Sequence, residues 1–159
     1  MFSADEKTIA ELRDLRECLA AIDPAEATVL GLALEGELSR RTPDLTRVLL
    51  RAADSAGKHG LALGRTLTAA CCRAFCARLG DLHPGAAIEV RVPPYGVTQA
   101  VAGTVHRRGT PPSVVETDAE TWLALVTGRL TWADAVAGGA LRASGERCDL
   151  SAYLPLLRT

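Results

Sequence analysis

The chain has 159 residues, of which 48% are hydrophobic and 23% charged, with a formal net charge of −1. That is room for one domain, or a small domain with an extension, and not for two large ones. No apolar run reaches the roughly 18 to 20 residues that cross a bilayer, and the charge balance gives no excess of Lys and Arg for a general grip on nucleic acid.

The chain opens "MFSADEKTIAEL", acidic and amphipathic rather than basic-then-apolar as in a secretory signal, so the expected compartment is the cytoplasm, without stable membrane insertion. "SADE", Ser3 to Glu6, reads as a capping box ahead of Ile9, Leu12, Leu15, Leu19 and Ile22 on one helical face. "DPAE" at Asp23 to Glu26 opens a second helix, with Pro24 at its first position and Leu30, Ala33, Leu34 and Leu38 as its apolar side. "TPDL" at Thr42 to Leu45 starts a third helix through Val48, Leu49 and Ala53, ending near "GKHG". A fourth covers about residues 65 to 79, with Leu67, Ala70, Cys71, Ala74 and Phe75 inward.

After "DLHPG" the pattern changes from helical to alternating. Ile88, Val90 and Val92 share one side of a strand and Glu89 and Arg91 the other. Pro93-Pro94 breaks it, and "YGVTQAV" resumes with Tyr95, Val97, Gln99 and Val101 on one face. "AGTVHRRG" follows as a strand-and-turn region, then "SVVET" as a β-branched strand. "TDAE" at Thr117 to Glu120 opens a helix with Trp122, Leu125 and Val126 inward that closes at Gly128. "TWAD" at Thr131 to Asp134 caps a shorter helix, "ALRASG" is a late strand, and "DLSAYLPLL" reads as a C-terminal helix with Tyr153, Leu154 and Leu157 on one face. The class is α+β.

Five cysteines, an odd number without C-x-x-C pairs, suit reduced thiols. Cys72 and Cys76 are four apart on one helical face, but two thiolates do not complete a zinc site and His83 lies beyond the helix, so they read as core residues and no metal is expected. Glycine placement supports no phosphate-binding loop, and no cofactor is expected. The one catalytic constellation is "HRRGTPPSVVETD": His106 as acid or base, Glu116 or Asp118 as its orienter, Arg107 and Arg108 as anion clamps, and Ser113 as the near nucleophile. A turn followed by a helix cap explains the same residues, and no catalytic residue is assigned.

"GRLTWADAVAGGALRASGE", Gly128 to Glu146, resembles the signature segment of the sterol carrier protein family. The matching positions are Gly128, Arg129, Leu130, Ala135, Gly139, Leu141, Ala143, Gly145 and Glu146. With "VVETDAETWLALVTG", "HPGAAIEVRVPPYGVTQAV" and "YLPLL", the resemblance is to bacterial sterol-carrier-like proteins over about residues 64 to 159. It implies a five-stranded, mainly antiparallel sheet covered by helices, with an apolar tunnel for a lipid, fatty acyl chain or sterol-like ligand. The missing strand is expected between Val101 and Arg108, and the segment from Asp149 to Leu157 would close the tunnel. Residues 1–62 are then a helical N-terminal extension and 63–159 the sterol-carrier-like domain. Under this reading the tunnel lining comprises Phe75, Val90, Val92, Val97, Trp122, Leu125, Val126, Trp132, Val136, Tyr153, Leu154 and Leu157, with His106, Arg107 and Arg108 as a polar rim.

Three functions follow. One is non-catalytic carriage of an apolar ligand. Another is an interaction protein with a closed core and a helical arm that makes a homodimer or docks a partner. The third is an enzyme or an enzyme accessory module, since sterol-carrier-like modules also occur fused to catalytic domains like those of the maleylpyruvate isomerase family.

Overall fold

Helix start signals account for most of the N-terminal architecture. The computed structural model describes residues 2, 5–103 and 113–158, and the chain divides into two compact units, Met1–Ala74 and Phe75–Thr159. In the first, α1 (Glu6–Ala20) is capped by Asp5, whose carboxylate accepts from Thr8 N at 2.9 Å. The cap expected at Ser3 therefore sits two residues later; "DEKT" offers the same chemistry, an acid followed three residues on by a hydroxyl that also donates to it, at 2.7 Å. Helix α2 (Pro24–Leu38) starts as expected, with the Asp23 carboxylate accepting from Glu26 N at 3.0 Å.

Helix α3 (Thr46–Lys58) has no side-chain bond at its capping residue, Leu45. Asp44 substitutes for it, accepting from Thr46 N at 3.1 Å, from the Thr46 hydroxyl at 2.6 Å and from Phe2 N at 3.0 Å. Glu26 ties α2 to α3, accepting from the fully buried Ser55 hydroxyl at 2.6 Å and from Arg51 at 3.2 Å. The Ser55 bond, with the Arg51 charge, outweighs burial and holds the Glu26 carboxyl below its ordinary range. Leu12, Leu15, Leu19, Ala27, Leu30, Leu34, Val48 and Leu49 are buried, whereas Ile22, past the end of α1, is 54% exposed.

Helix α4 (Arg65–Leu82) gives its N-terminal part to the first unit and its C-terminal part, from Phe75, to the second. In the second unit follow β1 (Ile88–Val92), β2 (Gly96–Ala100), β3 (Ser113–Thr117), α5 (Ala119–Thr127), α6 (Trp132–Ala137), β4 (Leu141–Ser144) and a 3-10 helix, Leu156–Arg158.

Among the described residues the sheet has four strands in the order β2-β1-β3-β4, which corrects the five-stranded, mainly antiparallel expectation. The outer pairs are antiparallel, but the central pair, β1 with β3, is parallel. The registers show the geometry: Ala100, at the end of β2, and Ser113, at the start of β3, both lie opposite Ile88 on either side of β1. The strand expected between Val101 and Arg108 falls, from residue 104, outside the described residues.

Register also inverts the expected face of β2. Ile88, Val90 and Val92 are buried, so their partners Ala100, Thr98 and Gly96 share the inner side, and Val97 faces out, 61% exposed. Those small inner residues let α4 come close: a Cβ on Gly80 would lie 2.9 Å from the Thr98 hydroxyl and 3.3 Å from the Gln99 carbonyl. Beyond β2, Val101 N donates to His83 O at 2.6 Å and Ala87 N to Val101 O at 3.0 Å, tying the end of α4 to the sheet.

The expected C-terminal helix from Asp149 to Leu157 does not form. Pro155 has no N–H to donate and disfavours helical backbone at Leu154, and the segment takes a turn over 151–153 followed by the short 3-10 helix. Leu150 and Leu156, not Leu157, are the buried residues, and Leu157 is 42% exposed.

Candidate functional site

The apolar interior of the second unit is built from the inner side of the sheet and the buried sides of three helices. Val90, Val92 and Val115 are buried on the strands, Phe75 on α4, and Trp122, Leu125 and Val126 at i, i+3 and i+4 on α5. Asp118 aims α5: its Oδ1 accepts from Thr121 N at 2.8 Å and its Oδ2 from the Thr121 hydroxyl at 3.0 Å. This cap lies one residue later than the one expected at Thr117, whose hydroxyl instead donates to Ala140 O at 3.1 Å. Gly128 ends α5 in the left-handed conformation, φ 79°.

Leu125, Ala135 and Leu141 form one buried cluster, against which Leu130, Trp132 and Leu154 pack half-buried. Three of the expected lining residues, Leu125, Trp132 and Leu154, are thus brought together. The other three members carry no signal as lining residues except their place in the signature segment. Tyr153 turns to His83, ring centroids 4.8 Å apart and edge-to-face. Val97, Val136 and Leu157 lie on the surface at 61%, 50% and 42% exposure. For Val136 the reason is the shortness of α6, a helix that buries a single side chain, Ala135.

Among the described residues the buried polar side chains of this interior are paired, with one exception. Ser113, Thr117 and Thr127 are buried and hydrogen-bonded: Ser113 accepts from Arg147 N at 3.2 Å and Thr127 donates to Leu123 O at 2.7 Å. The indole Nε1 of Trp122 is closed to solvent and has no partner. A buried donor left so costs about 1–3 kcal/mol.

The rim residues His106, Arg107 and Arg108 lie outside the described residues. The residues considered as their catalytic companions have other duties: Asp118 caps α5, and Glu116 stands in register between Arg91 and Arg142. Glu116, Asp118 and Arg142, with Pro93 and Leu141, line an open groove of about 270 Å³ at the sheet's edge. Burial raises the Cys76 thiol to about 12 and the Cys71 thiol further, Cys71 also feeling Cys72, so neither is a ready thiolate ligand or nucleophile. Among the described residues no group of three or more His, Cys, Asp or Glu converges as metal ligands, and no helix is long and apolar enough to cross a membrane.

A comparison with curated proteins finds no match. The family model described as "Bacterial SCP ortholog" matches residues 64–156, from the first turn of α4 to the 3-10 helix and well over half of the chain. Its span covers the sheet, α5, α6 and the apolar cluster between them, and the chain belongs to this family of bacterial sterol-carrier-like proteins.

Proposed function

We propose that the protein binds and carries an apolar ligand, a lipid, fatty acyl chain or sterol-like molecule, without catalysing a reaction on it. Membership of the sterol-carrier-like family over residues 64–156 carries this reading. It is supported by an interior whose contributing faces are almost wholly apolar, as ligand pockets are, and by the commitment of Asp118 to a helix cap rather than to catalysis. The ligand domain would be residues 63–159, with Phe75, Val90, Val92, Trp122, Leu125 and Val126 against the chain of the ligand and His106, Arg107 and Arg108 at its polar end. Native mass spectrometry of the purified protein against its denatured extract tests it. A co-purifying lipid, or uptake of a fluorescent fatty acyl probe, is expected, and the absence of both sinks the reading.

A second reading concerns residues 1–62, which would make a homodimer through α2. That helix is apolar on two sides. Ala27, Leu30 and Leu34 are buried, and opposite them Ala25, Val29, Leu32 and Gly36 recur at four-, three- and four-residue spacing, with Val29 42% and Leu32 72% exposed. In an antiparallel pair Val29 of one copy meets Leu32 of the other, Ala25 meets Gly36, and the acidic helix start at Asp23 approaches Arg40 and Arg41. Light scattering after size exclusion should give a dimer that Leu32→Glu converts to monomer; a wild-type monomer at tens of micromolar excludes it.

A further inference from the structure

The unpaired indole of Trp122 singles out one atom in the second unit. Among the described residues the three other buried polar side chains there, Ser113, Thr117 and Thr127, each have a partner, and so do the four buried in the first unit. The backbone N–H of Trp122 is also committed, donating to Asp118 O at 3.0 Å. Among the described residues only the indole Nε1–H, 1% exposed as a residue and on the same face of α5 as Leu125 and Val126, lacks an acceptor. Phenylalanine would supply a ring at this position without a polar atom, so packing alone does not call for the N–H.

We infer that the Trp122 Nε1–H is a recognition donor, and that the apolar ligand it serves carries an uncharged acceptor oxygen, as an ester, ketone, amide or alcohol, within its buried part. This rests on the reading of the second unit as a carrier. Indole is a donor only, so its partner must be an acceptor. That acceptor is uncharged because the described residues of the second unit include no buried charged side chain, and a carboxylate there would be stripped of water without a cation to meet it. A hydrocarbon would fill the same interior and leave the donor unanswered.

The test compares two probes of equal chain length, a pyrene-labelled acyl methyl ester and a pyrenyl alkane, on wild type and Trp122→Phe. Wild type should prefer the ester, and the variant should lose about three- to tenfold in affinity for the ester and little for the alkane, the effect of one net hydrogen bond. Without ligand, the variant should melt at or above the wild-type temperature, which a purely structural role of the indole would not give. Should the variant fail to fold, 15N-labelled wild type decides: the ester should move the Trp122 indole proton downfield and the alkane should not. Equal binding of both probes with no indole shift overturns the inference alone. Binding of neither probe overturns it together with the carrier reading.

Discussion

Glu11 on α1 accepts a hydrogen bond from the backbone N–H of Leu67 in the first turn of α4, at 2.8 Å and across 56 positions of sequence. The first N–H groups of a helix have no partner within it, and here a distant carboxylate supplies one. Glu11→Ala should cost about 1–2 kcal/mol, the scale of a lost N-cap, and Glu11→Gln, which keeps an acceptor oxygen, clearly less. Urea unfolding of both variants checks this. Gly64→Ala offers a second route to the same loss, because a Cβ there would fall on Glu11 Oε2.

Asp44 should make stability depend on acid. Burial works against its charge, but the bonds from Phe2 and Thr46 prevail and lower its carboxyl from 3.8 to about 2. A carboxyl whose folded value is depressed adds stability above its unfolded value and loses it as pH falls toward the folded one. The urea midpoint should therefore drop between about pH 4 and pH 2. Asp44→Asn should be about 1 kcal/mol less stable at pH 7, with a shallower decline; parallel curves for the two proteins would contradict the assignment.

Gly85 should accept no side chain. Its φ is 151°, and a Cβ would run into the Val101 carbonyl and 2.5 Å from Ala102 N. Because both obstacles are backbone, Gly85→Ala is expected to cost about 3 kcal/mol and to lower the melting temperature accordingly. Gly139→Ala, with φ 66° and open space around the new methyl, should cost only about 1 kcal/mol.

The thiols should divide into two classes. Cys18 is exposed and Cys148 half-buried, while Cys71 and Cys76 are buried with thiols held far above neutrality. At pH 8, iodoacetamide should label Cys18 and Cys148 in the native protein and reach Cys71 and Cys76 only after denaturation, as read by peptide mass spectrometry. Native labelling of Cys71 at the rate of Cys18 would contradict the packing of α4.

Local chemistry was legible where it acts over a few residues. The Asp23 and Thr131 caps, the Gly128 stop and the strands through Ile88–Val92 and Ser113–Thr117 all follow from short patterns. Alternation in β2 showed two faces but not which one turns inward, because that is decided by pairing with β1. The parallel β1–β3 pair is likewise a fact of long-range register. Pro155 was the visible sign against a C-terminal helix, and helical spacing applied across it led to Leu157 in place of Leu150 and Leu156. Of the site, Trp122 was legible as buried, but the isolation of its N–H was not, since a missing partner is a property of the neighbours.

The division of α4 between the two units bears on how the protein can be cut. The chain passes from one unit to the other inside a helix, at Ala74 and Phe75, rather than in a loop. The family segment begins ten residues earlier, and its first turns depend on what precedes it: Leu67 N donates its hydrogen bond to Glu11, and the buried Cys71 thiol points its hydrogen to Leu49 O at 3.8 Å. A fragment starting at residue 63 would carry every family motif and still lack the acceptors and apolar cover for its first helix. The N-terminal helices thus support the first turns of α4, and a truncation at residue 63 would begin by fraying them.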